Sequence, residues 1–327
     1  ILEPDLPICD PHHHLWDRRI SRVPYQRYLL DELLEDVGSG HNVRSTVFIE
    51  AESMMRDSGA LEMRSVGEVE FVQGTAAASA SGIYGDIRAA AGIVGSADLN
   101  LGEGVKQVLE ALQKASPNRF RGIRHRLTWD PHPELASASS AGIPGQMQDE
   151  QFRIGAQALA DMGMTFEGWM YHHQLPELAE LARAVPSLTI ILNHIGGLLR
   201  IGPYSENDKD TVSAWKEGMA AVSECPNVVV KLGGMGMPIM GFDWHLREKP
   251  VGSQELADDM SPFLNYCIEQ FGPDRCMFES NFPVDKVSFS YHVMYNAFKR
   301  LSSDYSFQQR VGMFHSNAVR IYKVSEE

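Results

Sequence analysis

The sequence predicts an α/β fold, a single (β/α)8 barrel over residues 1–327. Three observations predict it. Eight short apolar segments alternate with segments of helical periodicity. Several of the eight are near-continuous apolar runs, as parallel strands covered on both faces must be. Polar residues gather at their carboxyl ends, which a closed barrel brings to one mouth. A doubly wound open sheet is the rival. It would want a Gly-rich phosphate loop after a strand, and neither GxGxxG nor GxxxxGK(S/T) occurs.

Taken in order, residues 8–14 read as strand one and residues 27–37 as a helix stopped by Gly38-Ser39-Gly40. Residues 45–50 are strand two and 64–78 the next helix. Residues 89–99 are strand three, 104–114 a helix and 120–125 strand four. Residues 130–149, rich in Pro, Gly and Ser, read as a long loop over the mouth. Helix 151–162, strand 164–171 and helix 175–184 follow. Residues 188–194 form strand six, ending in His194. Helix 211–224 and strand 227–232 lead into Gly233-Gly234 and a second long loop, 234–254. Helix 256–271, strand 275–281 and closing helices 288–301 and 307–322 complete the chain. The strand ends carry His12, His14, Glu50, Asp98, Arg124, His125, His172, His173, His194, Lys231 and Asn281.

Composition fits an enzyme with a sizeable core: 43% of the 327 residues are apolar and 22% charged. Net charge is -14 with no Lys/Arg cluster, which argues against a nucleic-acid partner. No apolar run is long enough for a membrane span. Cys9, Cys225, Cys267 and Cys276 show no CxxC spacing and read as reduced thiols of a cytoplasmic protein. A homo-oligomer is compatible with a barrel, but no sequence feature marks an interface.

Chemistry concentrates in Asp10-Pro11-His12-His13-His14-Leu15-Trp16. Alternate side chains of a strand share a face, so Asp10, His12 and His14 project together and His13 opposes them. Two imidazoles on one strand end can reach one ion or one substrate oxygen. Arg124 and Arg121 differ in parity; Arg124, nearer the mouth, is the candidate for clamping a carboxylate. Trp16, Glu50, His173, Trp244, His245 and Asp285 are candidate substrate contacts. Glu279 shares a face with Asn281 and should point into the barrel one layer lower.

Three motifs resemble the amidohydrolase superfamily, in its amidohydrolase-2 branch. Asp10-x-His12-x-His14-x-Trp16 looks like the HxH signature of strand one. Asn193-His194-Ile195-Gly196-Gly197 looks like the HxG histidine. Phe278-Glu279-Ser280-Asn281-Phe282-Pro283-Val284 resembles GSDWP on strand eight. The resemblance spans nearly the whole chain. It implies His12, His14 and His194 as ligands of a divalent metal such as zinc, or as direct ligands of a substrate carbonyl. It implies a small-molecule substrate, with lactone hydrolysis first and decarboxylation of an aromatic or unsaturated acid second. Asn281 stands where the family usually has Asp. An amide is no base and adds no charge to a metal. Glu279, Asp285 or His194 would then be the base; otherwise the barrel is a catalytically silent binder.

Overall fold

The computed structural model describes residues 1–18, 24–135 and 142–326. Residues 136–141 of the first long loop lie outside the described residues. Eight parallel strands are present: β1 (Pro7–His13), β2 (Asn42–Ile49), β3 (Arg88–Ser96), β4 (Phe120–Arg126), β5 (Thr165–Trp169), β6 (Ile190–Leu192), β7 (Val228–Leu232) and β8 (Cys276–Phe278). They pair in chain order. The ring closes where Asn281 N donates to His12 O at 2.9 Å and His14 N to Phe282 O at 2.8 Å. The fold is a (β/α)8 TIM barrel.

A helix follows each strand: α1 (Leu30–Val37), α2 (Val66–Ala80), α3 (Val105–Ala115), α4 (Glu150–Asp161), α5 (Leu175–Ala184), α6 (Asp208–Ser223), α7 (Ser253–Phe271) and α8 (Tyr291–Leu301). Local chemistry sets their starts. Asp149 accepts from Gln151 N and Phe152 N before α4, meeting two N–H groups that a helix start leaves free. The helix expected from residue 27 begins at Leu30. Arg27–Tyr28 instead pairs antiparallel with Trp16–Asp17, and the Glu32 carboxylate accepts from Leu29 N at 2.9 Å.

The sixth and eighth strands stop earlier than the apolar runs suggest. His194, Ile195 and Asn281 have φ of 53°, 48° and 54°. That left-handed backbone cannot continue a ladder, so each strand releases its last polar residues into the mouth. Such positions carry strain of order 1–3 kcal/mol each and persist only where packing enforces them.

Two apolar layers hold the barrel. Outside the strands, residues such as Ile8, Phe48, Ile93, Ile123 and Phe166 pack against the helices. Inside, Cys9, Val47, Ile49, Ala91, Ile191, Val229 and Met277 form a plug. Ala318, Ile321 and Tyr322 of the last helical turn (Asn317–Tyr322) pack with this inner set and seal its floor. Complete burial of one such aliphatic side chain stabilises by about 1.5–3 kcal/mol. The four cysteines are buried and free. Among the described residues no helix is long and apolar enough to cross a membrane.

One buried histidine far from the mouth makes stability pH-dependent. His41 donates through Nε2 to His292 O (3.1 Å) and accepts at Nδ1 from Lys299 Nζ (2.9 Å). Burial brings its pKa down from 6.5 to about 4. The unfolded chain therefore takes up a proton at pH values where the folded chain does not. The urea midpoint should fall as pH drops from 6.5 through 4. His41→Gln, which keeps a donor and an acceptor but cannot titrate, should flatten that fall by one proton's worth. An unchanged slope would show that His41 carries no part of it.

Candidate active site

The alternation of β1 brings His12 and His14 into the mouth, their ring centroids 4.9 Å apart. His13 turns away and meets Thr46 Oγ1 at 2.8 Å. Asp10, expected beside the histidines, does something else. A register shift after Asp10 lets its carboxylate accept from Ser280 N (3.0 Å), His12 N (3.2 Å) and Tyr291 OH (3.1 Å), stitching β1 to β8. His194 arrives from β6, with its ring 4.6 Å from that of His12.

Glu279 ties the histidines together. Its Oε1 lies 2.7 Å from His194 Nδ1 and accepts His194 N–H at 3.1 Å; its Oε2 lies 2.7 Å from His12 Nδ1. The two glycines after β7 make the room. A methyl on Gly233 would overlap Glu279, and one on Gly234 (φ 71°) would overlap the His194 ring. His14 is fixed separately, with Nδ1 2.9 Å from Ile49 O. A carbonyl only accepts, so Nδ1 carries the proton and Nε2 keeps a lone pair. Trp16 stacks on His14 at 5.8 Å, and half-buried Trp169 sits edge-on to His194 at 4.7 Å.

Arg124 does face inward. Its Nε donates to Glu50 Oε1 and its Nη2 to Glu50 O, both at 2.6 Å, leaving Nη1 3.5 Å from His12 Nε2. Arg126, of the same parity, donates to both Glu50 oxygens at 2.9 Å. Glu50 was expected to touch substrate; its carboxylate is instead occupied in holding the two guanidiniums. Below the histidines, Lys231 pairs with Glu167 at 2.8 Å and its Nζ lies 3.3 Å from His12 Nδ1.

Charge follows from burial. Burial holds the proton affinities of His12, His14 and His194 well below 6.5, with Lys231 and Arg124 adding to the effect, so all three rings are neutral. Burial also pushes the Glu279 carboxyl up to about 8, against the pull of Lys231. Burial works against ionised Glu50 too, but Arg124 and Arg126 overcome it and bring its pKa to about 2.

The structure thus gathers His12, His14, His194, Arg124, Glu50 and Trp16. It does not gather the rest. Asn281 donates Nδ2 to Asp285 Oδ1 (2.7 Å), and Asp285 Oδ2 accepts from Gly236 N (2.9 Å). Both are struts of the β8 and β7 loops, not groups aimed at the histidines. His173 donates to Trp129 O (3.0 Å) and stacks on Tyr204. Trp244 is buried against Phe242 and Phe289 with its N–H on Asp259 (3.1 Å), so the 234–254 loop uses it as core. His245, half-buried on the same turn, has no contact with the histidine cluster among the described residues. Glu279 and Lys231, expected inside the barrel and at a strand end, join the site together with Arg126 and Trp169. The parity it shares with Arg124 is the signal for Arg126.

Residues 9–324 match the amidohydrolase family profile. The chain belongs to the amidohydrolase family. This amidohydrolase is 29% identical over 337 residues to an uncharacterized protein of Sinorhizobium fredii, covering 98% of this chain and 99% of the other. It is 23% identical over 239 residues to an L-fucono-1,5-lactonase of Burkholderia multivorans, covering 72% of each. A crystal structure of a Burkholderia multivorans amidohydrolase with bound zinc superposes with a TM-score of 0.74 at 21% identity, covering 97% of this chain and 99% of that one.

The amidohydrolase's own residues fit a divalent ion. Among the described residues one group offers three ligand atoms within 4.8 Å of one another: His12, His194 and Glu279. Two neutral imidazoles and a carboxylate are a zinc-type donor set. Glu279 Oε2 is moreover buried without a hydrogen-bond partner, an arrangement a native interior rarely leaves unanswered. The expected trio was His12, His14 and His194; the described residues bring Glu279 to the other two within ligand distance, while His14 is anchored to Ile49. Protein incubated with zinc and dialysed should retain about one ion per chain by elemental analysis. Glu279→Gln, and Gly234→Ala through its methyl against His194, should retain far less. Equal retention in both variants would place the ion elsewhere.

Proposed function

We propose that this amidohydrolase opens the ring of a small carboxylated lactone. The observation that carries the reading is the free edge of Arg124. Its Nη1 lies 3.5 Å from His12 Nε2 in a pocket where the three rings are neutral. A lactone carbonyl needs a donor for the oxygen that becomes negative, and a neutral imidazole to take the proton of the attacking water. Arg124 is the donor, fixed by Glu50 before substrate arrives. His14, with its Nδ1 proton on Ile49 O, accepts at Nε2. The ring C–O bond then breaks, the departing ring oxygen takes the proton back from His14, and the product is a hydroxy acid.

A divalent ion held by His12, His194 and Glu279 would supply Lewis acidity and a more acidic water. Arg18, whose guanidinium lies 4.6 Å from the centroid of the Trp16 ring, joins Arg124 and Arg126 on the same side of the mouth. Arg124 and Arg126 are paired with Glu50 and Glu52, and Arg18, which donates to Ala51 O, is the further cation beside them for a substrate carboxylate. Trp16 and Trp169 wall the site beside His14 and His194. Lactone chemistry in a relative, the L-fucono-1,5-lactonase, supports the same reading.

The test is proton release, followed with an indicator, on a panel of sugar-acid lactones and pyrone carboxylates. Opening of at least one lactone is expected, with Arg124→Met lowering kcat/KM roughly 100-fold. Carbon dioxide release from an aromatic acid without lactone opening would make the barrel a decarboxylase. Turnover of neither, with ligand binding retained, would make it a silent binder.

A further inference from the structure

We propose that Tyr322, at the far end of the chain, is a positioning residue for the active site: the last helical turn reaches through the barrel floor and fixes the Glu167–Lys231 pair beneath His12. The inference rests on the reading of His12 as an active-site ligand.

Tyr322 is fully buried. Its hydroxyl donates to Glu167 Oε1, and its ring centroid lies 5.5 Å from Lys231 Nζ. One side chain therefore touches both members of a buried ion pair. Glu167 is a hub with three donors: Tyr322 OH on Oε1, and Lys231 Nζ (2.8 Å) and Asn193 Nδ2 on Oε2. Asn193 is the residue before His194, so the hub reaches two of the three histidines.

The geometry at His12 gives this hub its importance. His12 Nδ1 has two competing neighbours, Glu279 Oε2 at 2.7 Å and Lys231 Nζ at 3.3 Å. The carboxylate asks Nδ1 to carry the proton; the ammonium asks it to accept one. Lys231 Nζ lies within hydrogen-bond distance of Nδ1 while it is paired with Glu167, so Glu167 sets how far Lys231 competes with Glu279 for that nitrogen. A displaced Lys231 would change the balance between the two neighbours at Nδ1, and with it the state of Nε2. The free ring nitrogen that faces substrate or a metal is thus set by what holds the other one. Tyr322 contributes by giving Glu167 Oε1 a partner and by filling the space into which Lys231 could otherwise drop.

The test uses the whole 327-residue chain with 15N-labelled histidine. His12 is assigned by the resonance lost in His12→Asn, and the two ring-nitrogen shifts are read without substrate. Tyr322→Phe keeps the ring and removes the hydroxyl. It is expected to fold, to shift the His12 ring nitrogens, and to weaken zinc affinity about 10-fold in a chelator competition. Ile321→Val, in the same floor but away from the ion pair, should leave both readouts unmoved. Glu167→Gln should reproduce the His12 shift and decides the matter if Tyr322→Phe does not fold. Unmoved His12 resonances in a folded Tyr322→Phe or Glu167→Gln protein would overturn the proposal and leave Tyr322 a plug alone. Because no substrate is present, a parent enzyme that opens no lactone would overturn the proposed function without touching this result.

Discussion

Two acids buried inside this barrel each face a cation within hydrogen-bond distance. Glu50 lies between Arg124 and Arg126, and Glu167 against Lys231. A lone charge at these depths would be costly, and its partner's removal costs about 3–5 kcal/mol. Pairing does more than tolerate the charges. It removes their freedom, so that Arg124 has one unoccupied edge and Lys231 one approach to His12. Glu279 is the acid that this scheme leaves to the imidazoles, its second oxygen close to His12 but without a hydrogen bond.

Much of this was legible in the sequence. The alternation of eight apolar runs with helices gave the barrel, and strand parity gave His12, His14, Arg124 and the inward direction of Glu279. What parity could not give was partnership. Glu50 looked like a substrate contact because it ends a strand; only the fold brings Arg124 and Arg126, some 75 residues later, onto its oxygens. Trp244 looked like a mouth residue because it lies in a long loop, yet the loop folds back and spends the indole on its own packing. Asp10 kept the expected parity in sequence and lost it to a register shift. Strand lengths were overestimated where His194 and Asn281 enter left-handed backbone, a choice that apolar patterning does not encode.

The departure from the family pattern at Asn281 also finds an explanation. The Asn281 amide donates to Asp285 Oδ1 at 2.7 Å, a bond that an ionised carboxylate at 281 has no proton to make. Glu279, two positions back on the same face, is the acid that meets the histidines, and Gly233 and Gly234 leave room for it. A larger residue at either position would collide with that acid or with its histidine.

The seam between β1 and β8 has a consequence for the order in which the protein can form. Glu279, which meets His12, lies some 270 residues after it in the chain, and Tyr322 some 310. Until they emerge, β1 has an unpaired edge and its histidines have no acid beneath them. Domains fold as units during synthesis, and open strand edges are where nascent chains go astray. For this barrel the meeting of Glu279 with His12 and the closure of the sheet between β1 and β8 happen together.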